Sequence, residues 1–102
     1  MKKNDNVAHP VHYAESCSLE CIQAMQLAYG TEAVYNFCKC NAFKYMWRYK
    51  NKNGEEDLKK AKWYINYASS LAATNEEINL LSDMMDILKQ CLRNLDKTSQ
   101  SY

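Results

Sequence analysis

Apolar side chains return at helical spacing along most of the chain, and residues that start and stop helices stand between the runs. In the first run Leu19, Ile22 and Met25, with Gln26 beside them, mark a helix that Ser16 or Ser18 caps; it ends near Ala28, where Gly30 stops it. Ahead of it His9-Pro10-Val11-His12-Tyr13 reads as extended, because proline biases the residue before it away from helix. Thr31 is the expected cap of a long second helix through Val34 to Lys52. Asn51 to Gly54 is a turn, with Gly54 suited to the left-handed conformation that ends a helix. Glu55, Glu56 and Asp57 then stand at the positive end of a third helix, whose inner face is Asp57, Ala61, Tyr64, Ile65 and Ala68. Thr74-Asn75-Glu76-Glu77 has the spacing of a capping box and opens a fourth helix to about Asp96. Ile78, Leu81, Met84, Met85, Ile87, Leu88, Cys91, Leu92 and Leu95 give that helix an apolar face wide enough to serve partly as a subunit interface.

These elements predict an all-α fold, a small bundle of about four helices. The expected organisation is an extended segment over 1–17, a helical core over 18–73, an amphipathic helix over 74–97 and a tail over 98–102, with disorder expected from Lys97 onward. At 102 residues the core is small, and oligomerisation is the natural way to complete it, so a homo-oligomer is expected. A formal net charge of +1 argues against indiscriminate binding to long nucleic acid. No apolar run is long enough to span a bilayer and no signal peptide opens the chain, which predicts a cytoplasmic protein. Five cysteines fit that compartment as small buried thiols; Cys17 and Cys21 have helical spacing for a shared ligand, whereas Cys38 and Cys40 point away from each other, and no metal site is assigned.

The second helix departs from a simple amphipathic pattern. Val34, Phe37, Cys38 and Tyr45 share a face with Asn41, Lys44 and Arg48, so an amide and two cations interrupt the apolar stripe. Phe43, Met46 and Trp47 lie opposite, which predicts burial on more than one side, against the domain and against a partner chain. If the second and third helices form a hairpin, Asp57 and Lys60 come near the Arg48 end.

With only Gly30 and Gly54 there is no glycine-rich phosphate cradle, and no serine sits in a nucleophile elbow. Only Glu20 and Asp57 are placed to imitate the carboxylate clusters of helical pyrophosphohydrolases, too few for a two-metal site. What the residues do offer is a nucleotide pocket. Lys44 and Arg48 can hold phosphate oxygens, Tyr45, Tyr64 and Trp63 can stack on a base, Asn41 can read a base edge, and Asp57 or Glu20 can accept from a sugar hydroxyl. The same residues also suit a purely structural network pairing Arg48 with Asp57 and Lys44 with Glu20, and residue types alone leave the two readings open.

Several motifs coincide here: His12-Tyr13, Glu20-Cys21-Ile22, N-x-x-K-Y-x-x-R from Asn41 to Arg48, Lys52, Gly54, and D-L-K-K-A-K-W-Y from Asp57 to Tyr64. Over residues 9–70 they resemble a small phage-borne family, catalogued as a domain of unknown function, that includes the nucleotide kinase of phage T7. The resemblance implies a nucleotide-binding protein without a P-loop, able as a kinase to move a phosphoryl group from a nucleoside triphosphate, with Mg2+ as its accompanying ion, to a deoxynucleoside monophosphate. By that resemblance Lys44, Arg48 and Lys60 contact phosphates and His12 is a further donor. Asp57 and Glu20 orient them or accept a proton, Asn41, Tyr45, Trp63 and Tyr64 shape the pocket, and Lys44, Arg48 and Asp57 form the catalytic set. Two alternatives come from different classes: a sponge that sequesters a host defence signalling nucleotide without turnover, and a helical protein-interaction module.

Overall fold

The computed structural model describes residues 19–100, with side chains described for 20–96. Among the described residues it is all-α, with four α-helices and no strand: α1 Leu19–Tyr29, α2 Thr31–Arg48, α3 Glu55–Leu71 and α4 Asn75–Gln100, with a 3₁₀ turn at Tyr49–Asn51 after α2. None of these helices is long and apolar enough to cross a membrane. The segment with His9, His12 and Tyr13, and the caps expected at Ser16 and Ser18, lie outside the described residues.

The chain divides into two compact units, Met1–Val34 and Tyr35–Tyr102. In the first, α1 ends where the Gly30 N–H donates to the Gln26 carbonyl at 2.8 Å and Gly30 takes a φ of 95°. Gly30 is also the residue before α2, and its carbonyl accepts from the Val34 N–H. The Thr31 hydroxyl, expected to cap α2, instead accepts from the Gln26 side chain at 3.1 Å. With a one-residue link there is no room for a separate cap, and Thr31 becomes the first helical residue.

The second unit is built on α2, α3 and α4. Its buried apolar residues are Tyr35, Cys38, Ala42, Tyr45 and Tyr49 from α2 and its 3₁₀ extension, Leu58, Ala61, Tyr64, Ile65 and Ala68 from α3, and Leu81 and Leu88 from α4. α2 and α3 form the expected antiparallel hairpin: Arg48 meets Asp57 at one end, while farther along Phe37 meets Tyr64 edge to face at 6.1 Å. α4 lies along α3 and runs parallel to α2: the Tyr35 hydroxyl donates to the Glu77 carbonyl at 3.3 Å near the start of both helices, and Tyr49 hydrogen-bonds with Cys91 and Asn94 near their ends.

The capping box forms as the sequence predicts. Thr74 Oγ1 accepts from the Glu77 N–H at 3.1 Å, and Glu77 Oε1 accepts from the N–H groups of Thr74 and Ala73 at 3.1 and 2.7 Å. Those backbone donors, Ala73 first, hold the Glu77 carboxyl below its usual range. Two expectations change. Gly54 has a positive φ, but with φ 58° and ψ −120° it is the N-cap of α3, and α2 is closed by the 3₁₀ turn. Helix α4 continues through Gln100, past the end expected near Asp96. Phe43 and Trp47, 58% and 78% exposed, are uncovered in the single chain, as are Ile78, Leu80 and Ile87 on α4.

Candidate functional site around Tyr45

The Tyr45 ring, buried in the hairpin, gathers three cations: Lys44 Nζ lies 4.6 Å from its centroid, the Arg48 guanidinium carbon 4.8 Å and Lys60 Nζ 5.6 Å. Chain geometry accounts for each. Lys44 precedes the tyrosine, Arg48 follows it at i+3 on the same side of α2, and Lys60 reaches across from α3. Each contact contributes on the order of 0.5 to 2 kcal/mol, more where water is excluded. Lys60 is 6% exposed, an uncommon placement for lysine, whereas Lys44 is exposed.

Tyr64, one turn after Lys60, stacks on Tyr45 with centroids 6.0 Å apart and planes 13° apart. Trp63 meets Tyr64 edge to face at 5.0 Å and stacks nearly parallel on Tyr67, with centroids 5.6 Å and planes 7° apart. Tyr45, Tyr64, Trp63 and Tyr67 thus extend along the hairpin beside the cations.

Asp57, fully buried, anchors the arrangement. Its Oδ2 accepts from Arg48 Nε and its Oδ1 from Arg48 Nη2, both at 3.3 Å; the Asn53 backbone N–H donates to Oδ2 at 3.2 Å and Asn53 Nδ2 to Oδ1 at 3.5 Å. Burial on its own would raise the Asp57 pKa, but the Arg48 and Asn53 hydrogen bonds and the Arg48 charge together hold it below the usual carboxylate range. Its place in the first turn of α3 favours the negative charge further. The carboxylate fixes the angle of the guanidinium, and the guanidinium lies against Tyr45.

Of the residues singled out in the sequence, Lys44, Tyr45, Arg48, Asp57, Lys60, Trp63 and Tyr64 come together here. Asn41 is half-buried one turn before Tyr45 on α2. Glu20 stands exposed in the first turn of α1, within the first unit, and His12 and Tyr13 lie outside the described residues. The Arg48–Asp57 arm of the structural network is present. Sequence reasoning missed Asn53 and Tyr67. An asparagine before glycine with an acid four residues on is a local signal for the first, and the i, i+4 pair of Trp63 with Tyr67 for the second.

Residues 7–66 match a family described as a protein of unknown function, DUF3310. No curated protein and no solved structure matches the chain. The matched span takes in more than half of the chain and all of the Tyr45 cluster except Tyr67, and leaves α4 outside it; the chain belongs to the DUF3310 family.

Proposed function

We propose that the chain binds a nucleotide at the Tyr45 cluster, with phosphate oxygens on Lys44, Arg48 and Lys60 and the base against the rings of Trp63 and Tyr67. The observation that carries this reading is the convergence of three cationic heads on one buried ring beside an aromatic ledge. Arginine supplies a planar fork and lysine a point charge, the combination that suits an anion with several oxygens. The motifs shared with the phage-borne family that includes the T7 nucleotide kinase support the same ligand class and extend it to phosphoryl transfer in a host cell cytoplasm. Transfer depends on positioning and charge stabilisation, which cations held on a helical hairpin are suited to provide.

A second reading, sequestration without turnover, is favoured by the state of Asp57. A fully buried carboxylate that accepts from Arg48 and Asn53 at both oxygens serves to position the arginine rather than to take a proton from a substrate.

A thermal-shift screen of nucleoside mono-, di- and triphosphates tests the shared premise. A ligand at 100 times its dissociation constant adds about 2.7 kcal/mol of stability, and Lys44→Ala should abolish the shift; no shift with any nucleotide removes both readings. Incubating a ligand that binds with labelled triphosphate then separates them: transfer that Arg48→Ala eliminates identifies the kinase, and quantitative recovery of the intact nucleotide identifies the sponge.

A further inference from the structure

On the side of α2 away from the core, Asn36, Cys40, Phe43 and Trp47 are all exposed. Their spacing of four, three and four residues is that of alternating a and d positions in a heptad, the seam along which one helix receives another. Phe43 and Trp47 stack on each other at 5.8 Å, so the apolar end of the seam is already ordered before anything covers it.

We propose that this seam binds a second copy of the chain, with the two α2 helices antiparallel about a two-fold axis between Asn41 and Ala42. The residues themselves select that partner and that direction. The small or polar members, Asn36 and Cys40, occupy the first half of the seam and the large ones, Phe43 and Trp47, the second. Antiparallel pairing sets Cys40 against the partner's Phe43 and Asn36 against the partner's Trp47, so every layer joins a small side chain to a large one. Parallel pairing would oppose tryptophan to tryptophan and leave the Asn36 and Cys40 layers underfilled.

Charge makes the same choice. Glu32 lies in the first turn of α2, while Arg48 and Lys50 stand at its far end. An antiparallel pair brings each acidic end to the other's basic end and aligns the helix dipoles head to tail; a parallel pair would gather like charges. The two-fold contact is self-complementary and closes on itself. Lys44, four residues after Cys40, borders the seam on the side of the Tyr45 cluster. The inference rests on the outer face of α2 and stands whether or not a nucleotide binds.

Sedimentation velocity on the reduced full chain, up to about 100 µM, tests the association. A dimer is expected, with Trp47→Glu weakening it about 30-fold or more, as loss of a central aromatic anchor does. A monomer throughout the range overturns the proposal. So does a Trp47→Glu chain that still dimerises while Leu80→Glu with Ile87→Glu does not, since the contact would then belong to α4. Oxidative cross-linking with peptide mass mapping tests the direction. Phe43→Cys should form links between Cys40 and position 43 of the second copy, whereas a Cys40–Cys40 link dominating in the wild type would show parallel helices and refute the register.

Discussion

The hairpin's charge pair yields a prediction with a defined size and a defined pH dependence. Arg48→Met keeps most of the hydrocarbon stem beside Tyr45 but removes both donors to Asp57. The carboxylate, fully buried in the wild type, retains only the two Asn53 bonds. Stranding one member of a fully buried pair costs roughly 3 to 5 kcal/mol. Here the arginine side chain is 32% exposed, so water can approach the vacated side. The 3.3 Å bonds are also longer than the roughly 2.8 Å of a tight charge-assisted bond, which places the loss at about 2 to 3 kcal/mol. Losing the cation over the Tyr45 ring adds about 0.5 kcal/mol. For a domain of this size the sum lowers the melting temperature by more than about 10 °C.

The pH dependence separates this cause from a packing defect. In the wild type Asp57 has a folded pKa below its unfolded value, so its contribution is fully present above about pH 4 and disappears as pH falls through the folded pKa. Without Arg48, burial is opposed only by Asn53 and the folded pKa rises. The variant therefore gains a proton at a higher pH than the wild type, and its deficit shrinks on acidification. Urea unfolding followed by circular dichroism should show the full difference at pH 7 and less than about half of it near pH 3. The other carboxylates, Glu77 included, are common to both proteins and cancel. An equal deficit at both pH values, or one below about 1 kcal/mol at pH 7, would refute the argument.

Other predictions rest on single positions. Gly54→Ala should cost about 1 to 3 kcal/mol in urea unfolding, because φ 58° with ψ −120° is open essentially to glycine alone; the nearest atom to an added methyl, Leu95 Cδ1 at 4.0 Å, does not crowd it, so the loss is conformational. Thr74→Ala removes the acceptor for the Glu77 N–H and should lower stability by about 1 kcal/mol, with a Thr74→Ser chain close to wild type. At pH 8 iodoacetamide should label exposed Cys21 well before Cys38, whose thiol burial pushes up to about 12; equal rates by peptide mapping would contradict the packing of α2.

The parts of the fold that were legible in the sequence are those with local causes. The Thr74–Glu77 box, the stop at Gly30 and the acidic start of α3 each depend on residues within a turn of one another, and each formed. The site was legible as a set of residue types, because Arg48, Asp57 and Lys60 fall near the same end once the hairpin closes. Burial was not legible. Nothing local says that Lys60 is covered while Lys44 is exposed, since that depends on which side of Tyr45 the neighbouring helix passes. Gly54 illustrates the same limit: a positive φ was foreseeable from its position after Asn53, but whether it closes α2 or opens α3 is decided by the 3₁₀ turn at Tyr49–Asn51, which Tyr49 anchors through Cys91 and Asn94 of α4.

The weak periodicity of α2 has a physical explanation in this arrangement. α4 separates apolar from polar residues sharply, as a helix packed on one side does, whereas α2 does so hardly at all. Its circumference is divided among three uses. Cys38, Ala42 and Tyr45 turn to the core, Lys44 and Arg48 flank the Tyr45 ring, and Phe43 and Trp47 stand outside. A helix used on three sides keeps no polar back, so its moment falls even though each face is well specified. The low moment therefore comes from the exposed apolar side and not from the packing of the single chain, and restoring a polar back should uncouple the uses of α2. Phe43→Lys with Trp47→Lys would raise the amphipathicity of α2 while leaving the Arg48–Asp57 pair and the Tyr45–Tyr64 stack in place, so thermal stability of the monomer should hold while association is lost.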